Sequence, residues 1–173
     1  MPPVQDNDLD DVGAIARNMA NKEFFITDNV LGKTEQHPGS LHTFVKSYQA
    51  ASDYADQMVG RVLDKLDATG EAHNTIIVLS SDHGYHLGDK KSCVKFTLWE
   101  KANHVPFIIV APGVTEPGTV CEQPASLLDI YPTLIDLCGL PQKEDLDGES
   151  LLPLLKDPNT SWERPALMTM GRG

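Results

Sequence analysis

A chain of 173 residues, 40% of them hydrophobic, is long enough to bury the core of one domain. Its formal net charge of −11 argues against nucleic acid or an anionic membrane surface as a main partner. No apolar run approaches the roughly 18–20 residues of a membrane-spanning helix, and the acidic start MPPVQDNDLDD lacks the apolar centre of a signal peptide.

Residues 1–39 hold seven acids against three bases and show little periodicity. One short helix is expected within Asp8–Ala20, with Leu9, Val12, Ile15, Ala16 and Met19 on one side, and the remainder reads as an irregular lead-in. Ser40–Thr69 reads as a long helix, because Leu41, Phe44, Val45, Tyr48, Ala51, Ala55, Met58, Val59, Val62, Leu63 and Leu66 recur at steps of three and four. Ser40 is the expected N-cap and Gly70 the expected C′ residue. Ile76, Ile77, Val78 and Leu79 form a continuous apolar run, the pattern of a parallel strand covered on both faces, so residues 75–81 are expected as a core strand. Phe107–Val110 repeats the pattern and places a second strand at 106–111. Beyond it, Val120–Gln123 reads as a short edge strand. Asp129 is expected to cap a helix that closes at Gly139, Leu151–Leu155 reads as one helical turn around Pro153, and Pro165–Met170 begins like a strand.

Between the two core strands lies a polar loop, Asp82–His104, rich in residues that bind ions. It carries Lys90, Lys91, Lys95 and Lys101 against Asp82, Asp89 and Glu100, plus His83, His86 and His104. Such a locally positive island in an acidic chain suits an anionic small substrate. In open α/β sheets the carboxyl ends of strands are where ligands bind, and Asp82-His83 follows such an end directly. A carboxylate and an imidazole presented there are the donors a metal needs to polarise an anionic ester, with further carboxylates from elsewhere; the competing reading is a capping Asp with a hydrogen-bonded His. Gly84 lets the backbone turn tightly beside them. Lys95 offers a point charge for sulfate or phosphate oxygens, or else a solvated surface lysine. Lys90 and Lys91 are expected in solvent, His86 and His104 as packing or surface histidines, and Asp10-Asp11 as a capping or solvated pair. Cys93, Cys121 and Cys138 form neither a CxxC pair nor a disulfide framework and leave the redox compartment open. Cys93 lies near lysines that could activate it, yet no base is placed for it.

The ordered motifs SSDHGYHLGDK, Lys95 and LWEKANHVPFIIVAPG resemble the late metal-site segment of the sulfatase family, within the alkaline-phosphatase-like superfamily and nearest its iduronate-sulfatase and bacterial branch. The resemblance continues upstream through YQAASDYADQMVGRVLDKLDATGEAHNTIIV and downstream through SLLDIYPTLIDLCGLP and DGESLLPLL, from about Leu41 onward. It implies an α/β fold with a mostly parallel sheet flanked by helices, of which residues 1–173 would form a partial catalytic domain (1–39 lead-in, 40–173 core portion) lacking its N-terminal half. It also implies a divalent cation, usually calcium, with Asp82 and His83 as two of its ligands, and Lys95 as the lysine that contacts the sulfate. The family nucleophile, a formylglycine made from Cys or Ser in a Cys/Ser-x-Pro/Ala-x-Arg motif, has no counterpart here and is expected upstream, outside this chain. On that ground the chain alone is expected to be inactive.

The implied substrate is a small-molecule or saccharide sulfate ester; the family favours a periplasmic or secreted compartment, with a cytoplasmic one left open. Two other functions fit the same residues. A phosphonate or phosphate ester hydrolase of the superfamily shares the Asp-His pair and the lysine, and a truncated, non-catalytic chain could bind metal weakly or act as an interaction module.

Overall fold

The computed structural model describes residues 7–20 and 39–169. Expectations for the rest of the lead-in, and for the end of the 165–170 segment, lie outside the described residues. The chain forms two compact units, Met1–Thr69 with His83–Val105, and Gly70–Asp82 with Pro106–Gly173.

In the first unit, helix α1 (Ala14–Ala20) is shorter than the expected Asp8–Ala20. Residues 7–12 instead make turns, with Asp10 N–H on Asn7 O at 3.0 Å and Val12 N–H on Leu9 O at 3.4 Å. Arg17 folds back over them and donates to the carbonyls of Leu9, Asp10 and Val12. Helix α2 spans Ser40–Thr69, the range its periodicity predicts. Gly39 and Gly70 flank it with φ of +86° and +75°, and Gly70 takes the left-handed C′ role. Leu41 and Val45 are buried against Cys93, with Phe44 and Leu87 beside them. Phe44 and Tyr48 both meet the Tyr85 ring, at centroid distances of 6.1 and 5.7 Å. The first turns of α2 are thus the platform on which the 85–94 loop rests. Farther along, Val62 and Leu63 of the predicted apolar stripe are 68% and 37% exposed, so its fully buried residues, Leu41 and Val45, lie at one end. A single turn, α3 (Glu100–Asn103), closes this unit's loop.

In the second unit, β1 (Ile77–Ser80) and β2 (Phe107–Val110) pair as neighbours, pairing Ile77 with Val110 and Ser80 with Phe107. The pairing is antiparallel, which corrects the parallel reading of their apolar runs. Nor are the strands fully covered: Ile108 is 51% and Val110 44% exposed. The reason is physical, since among the described residues the sheet has two strands and no third to flank them. Val120–Gln123 and residues 165–169 form no strand. Helix α4 (Ile130–Leu137) follows a 3₁₀ turn at Leu127–Asp129, and Gly139 ends the segment at φ +61°. Asp129 takes the N-cap position of α4, as expected, but its side chain serves the preceding 3₁₀ turn rather than the helix. Ser126 caps the 3₁₀ turn, and Asp129 Oδ2 accepts from Ser126 N–H at 2.8 Å.

Asp129 is the polar anchor of this unit. It is 2% exposed, and its Oδ1 accepts from Glu149 N–H and from Arg164 Nη1, both at 2.9 Å. Arg164 also donates to Asp147 O. Thr133 Oγ1 links Asp129 O to Leu151 N–H, and helix α5 (Leu152–Lys156) then buries Leu154, as the single turn around Pro153 predicts.

Candidate active site

The loop leaves β1 and rejoins β2 through a neck closed by Ser81 N–H on Pro106 O at 3.3 Å. Just inside it, Gly84 N–H donates to Ala102 O at 2.7 Å. A Cβ on Gly84 would stand 2.0 Å from Lys101 O, so glycine is required here by close backbone approach rather than by a turn with positive φ. That contact fixes His83, whose half-buried ring places Nδ1 2.8 Å from the Gly84 carbonyl. With Nδ1–H donating to the carbonyl, the lone pair lies on Nε2. Lys95 Nζ stands 2.6 Å from that Nε2, the geometry of an ammonium donating to the ring. The structure therefore brings together His83 and Lys95, two of the three predicted site residues. Asp82 is exposed and ends the second unit, one peptide bond before His83.

The other charged residues sort differently from expectation. Lys90 was expected in solvent, but it ties the loop to the N-terminal turn. Its N–H donates to Asp8 Oδ2 at 2.6 Å, and its Nζ donates to Asp8 O at 2.7 Å and Asp11 Oδ1 at 2.7 Å. The hydrogen bond from Lys90 lowers the Asp11 pKa, and the bond to Asp11 in turn raises that of Lys90. Lys91 is exposed, as predicted. His104 is a surface histidine paired with Glu100 at 3.2 Å. Cys93 is fully buried, and burial together with the Asp89 charge pushes its thiol up to about 11. An activated thiolate is thereby excluded at neutral pH.

His86 is the residue whose role spacing does not reveal. It is 0% exposed, with Nδ1 2.5 Å from Asp89 Oδ2 and Nε2 2.7 Å from Thr97 Oγ1. Its ring meets Trp99 edge-on at 5.6 Å. Burial pushes the Asp89 carboxyl up, but the bond from His86 and the Leu87 N–H outweigh it and hold the group below its ordinary value. A sequence clue exists in retrospect: a histidine followed three residues later by an acid across a Leu-Gly turn.

The loop thus brings an imidazole nitrogen and a lysine ammonium into direct contact, on an architecture of the alkaline-phosphatase-like class. The sulfatase family model matches residues 6–140, and the chain belongs to that family. A sulfatase of Formosa agariphila is 32% identical over 173 residues, covering 99% of this chain and 33% of its own length. Among solved structures, the phosphonate monoester hydrolase SpPMH from Silicibacter pomeroyi is 42% identical with a TM-score of 0.55, over 58% of this chain and 20% of that one. BT4656, solved in complex with its substrate D-glucosamine-2-N,6-O-disulfate, is 34% identical with a TM-score of 0.57, over 60% and 21%. The chain thus spans about a third or less of the length of these relatives.

Proposed function

We propose that this chain is the part of a sulfuric ester hydrolase that holds one side of the cation site and contacts the ester's sulfate. The observation that supports this reading most is the Lys95–His83 pair, with Nζ 2.6 Å from Nε2. Asp82 and His83 are the proposed ligands of a divalent cation, calcium on the family resemblance. The donor set fits: a hard carboxylate oxygen and an imidazole whose Nδ1 is engaged by Gly84 O, leaving Nε2 as the ligating atom. Lys95 places a cation on that atom already. Among the described residues no cluster of three or more His, Cys, Asp or Glu side chains could hold a metal, so further ligands come from outside them. The bound cation would neutralise charge on the ester oxygens.

Lys95 itself is the proposed sulfate contact. A lysine ammonium is a compact point charge on a flexible stem, able to swing from His83 onto a nearby oxyanion without moving the backbone. Once there, its positive charge would stabilise the developing negative charge of the transition state. The nucleophile, a formylglycine on this reading, is carried by a segment beyond these residues. The substrate class is a sulfate ester, and a sulfated saccharide is supported by the disulfated glucosamine bound to one structural relative.

The 42% identity to a phosphonate monoester hydrolase favours a second reading, in which the same lysine and cation hold a phosphonate ester. Comparing kcat/KM of the complete protein on 4-nitrophenyl sulfate and on a phenylphosphonate monoester separates the two. A preference for the sulfate is expected; a preference for the phosphonate would replace the first reading by the second.

A further inference from the structure

We infer that His86 is a positioning residue that sets Lys95 against His83, a role that rests on the proposed sulfate contact of Lys95. Three bonds bracket the lysine, and two of them come from His86. The His86 N–H donates to Val94 O at 3.1 Å, immediately before Lys95. The His86 ring holds Thr97 Oγ1 at 2.7 Å, two residues after it. Thr97 N–H then donates back to the Lys95 carbonyl at 2.8 Å. The other side of the ring is fixed by Asp89, whose Oδ1 also accepts from Leu87 N–H at 3.2 Å. His86 therefore cannot turn to release Thr97 without leaving a buried polar atom unpaired. Only two residues separate His86 from His83, and Gly84 is clamped to Ala102, so the two partners of the His83–Lys95 pair are referenced to one rigid frame. A buried histidine that served packing alone would need no bonds on both sides of one lysine.

The obvious change, His86→Ala, empties a buried site and risks unfolding, so the test uses Thr97, where Val is nearly isosteric and lacks only the hydroxyl. The 173-residue chain is trace-acetylated with acetic anhydride. The labelling of Lys95 is read by mass spectrometry against Lys101 and Lys156 in the same sample. Thr97→Val should raise the Lys95 ratio about fivefold, the population change that follows loss of one hydrogen bond, and Thr97→Ser, which keeps the hydroxyl, should return it to the parent value. An unchanged Lys95 ratio in Thr97→Val, a rise shared by all three lysines, or a failure of serine to rescue would overturn the proposal. The readout needs no turnover, so it stands apart from whether Lys95 contacts sulfate, which kinetics of Lys95→Ala decide.

Discussion

Lys95 Nζ and His83 Nε2 lie 2.6 Å apart across twelve residues of one loop, so a cation already occupies the nitrogen lone pair that a metal ligand would present. On the proposed reading, His83 Nε2 would hold a cation only once Lys95 had left it, and Lys95 would then be free to contact an anionic ester. The contact is held by Gly84 on one side and by the Val94–Thr97 frame on the other.

Metal binding by the chain alone should be weak. A hard cation such as calcium takes about 6–8 oxygen-type ligands, and the two proposed ligands, Asp82 and His83, would supply two donors, one of them nitrogen. Titration calorimetry of the 173-residue chain with calcium should show no tight saturable binding. A high-affinity isotherm abolished by His83→Ala would mean the remaining ligands are present within it.

Two glycines should respond in opposite directions to alanine. At Gly84 the added Cβ meets backbone oxygen at 2.0 Å, which cannot yield as a side-chain tip would. Gly84→Ala should destabilise by about 2 kcal/mol or more. At Gly60, within α2, nothing lies within 4 Å, and alanine should stabilise by roughly 0.5–1 kcal/mol. Urea midpoints of the two variants check both signs, and a neutral Gly84→Ala would show that α3 does not press on the loop.

The pH dependence of stability follows from Asp89 and Asp11. Both carboxyls sit below their ordinary values in the folded chain, Asp89 against the opposing push of its burial and Asp11 through Lys90. Stabilisation from a group with a depressed folded pKa is present above its unfolded value, near pH 4, and is lost as pH falls through the folded value. Asp89→Asn should therefore flatten the fall in urea midpoint below about pH 4. Lys90 works the other way, its raised value giving stability that is lost as pH climbs through that value. A parent and Asp89→Asn variant with superimposable acid limbs would remove Asp89 from the account.

The C-terminal unit should depend on Asp129 more than on any exposed acid. Asp129→Ala leaves two N–H groups and the Arg164 guanidinium without their shared carboxylate. Removing one partner of a buried charged pair costs about 3–5 kcal/mol. A loss below about 1 kcal/mol, the range of surface ion pairs, would show that water replaces the carboxylate.

Local patterns were readable from the chain, and long-range pairings were not. The steps of three and four from Leu41 to Leu66 define α2 with its glycine stop, because a helix writes its period into neighbouring residues. The runs at Ile77 and Phe107 mark two neighbouring strands, yet an apolar run carries no arrow, and the antiparallel pairing of Ile77 with Val110 had no local signal. Lys90 looks like any surface lysine until Asp11, 79 residues away, is brought beside it. Gly84 was legible as necessary, though its reason is the Lys101 carbonyl rather than a turn. His83 and Lys95, proposed as site residues from motif order, do lie in contact, while His86 stayed hidden because its burial depends on Trp99 and Thr97 closing over it.

The most direct test of the central claim is steady-state hydrolysis of an aryl sulfate by the complete enzyme carrying Lys95→Ala, with Lys91→Ala as the exposed control. The account predicts a fall in kcat/KM of about 10²-fold or more for Lys95→Ala, the order for removing one preorganised charge stabiliser, and parental kinetics for Lys91→Ala. Parental kinetics for Lys95→Ala would contradict it and leave the lysine a loop residue that merely rests on His83.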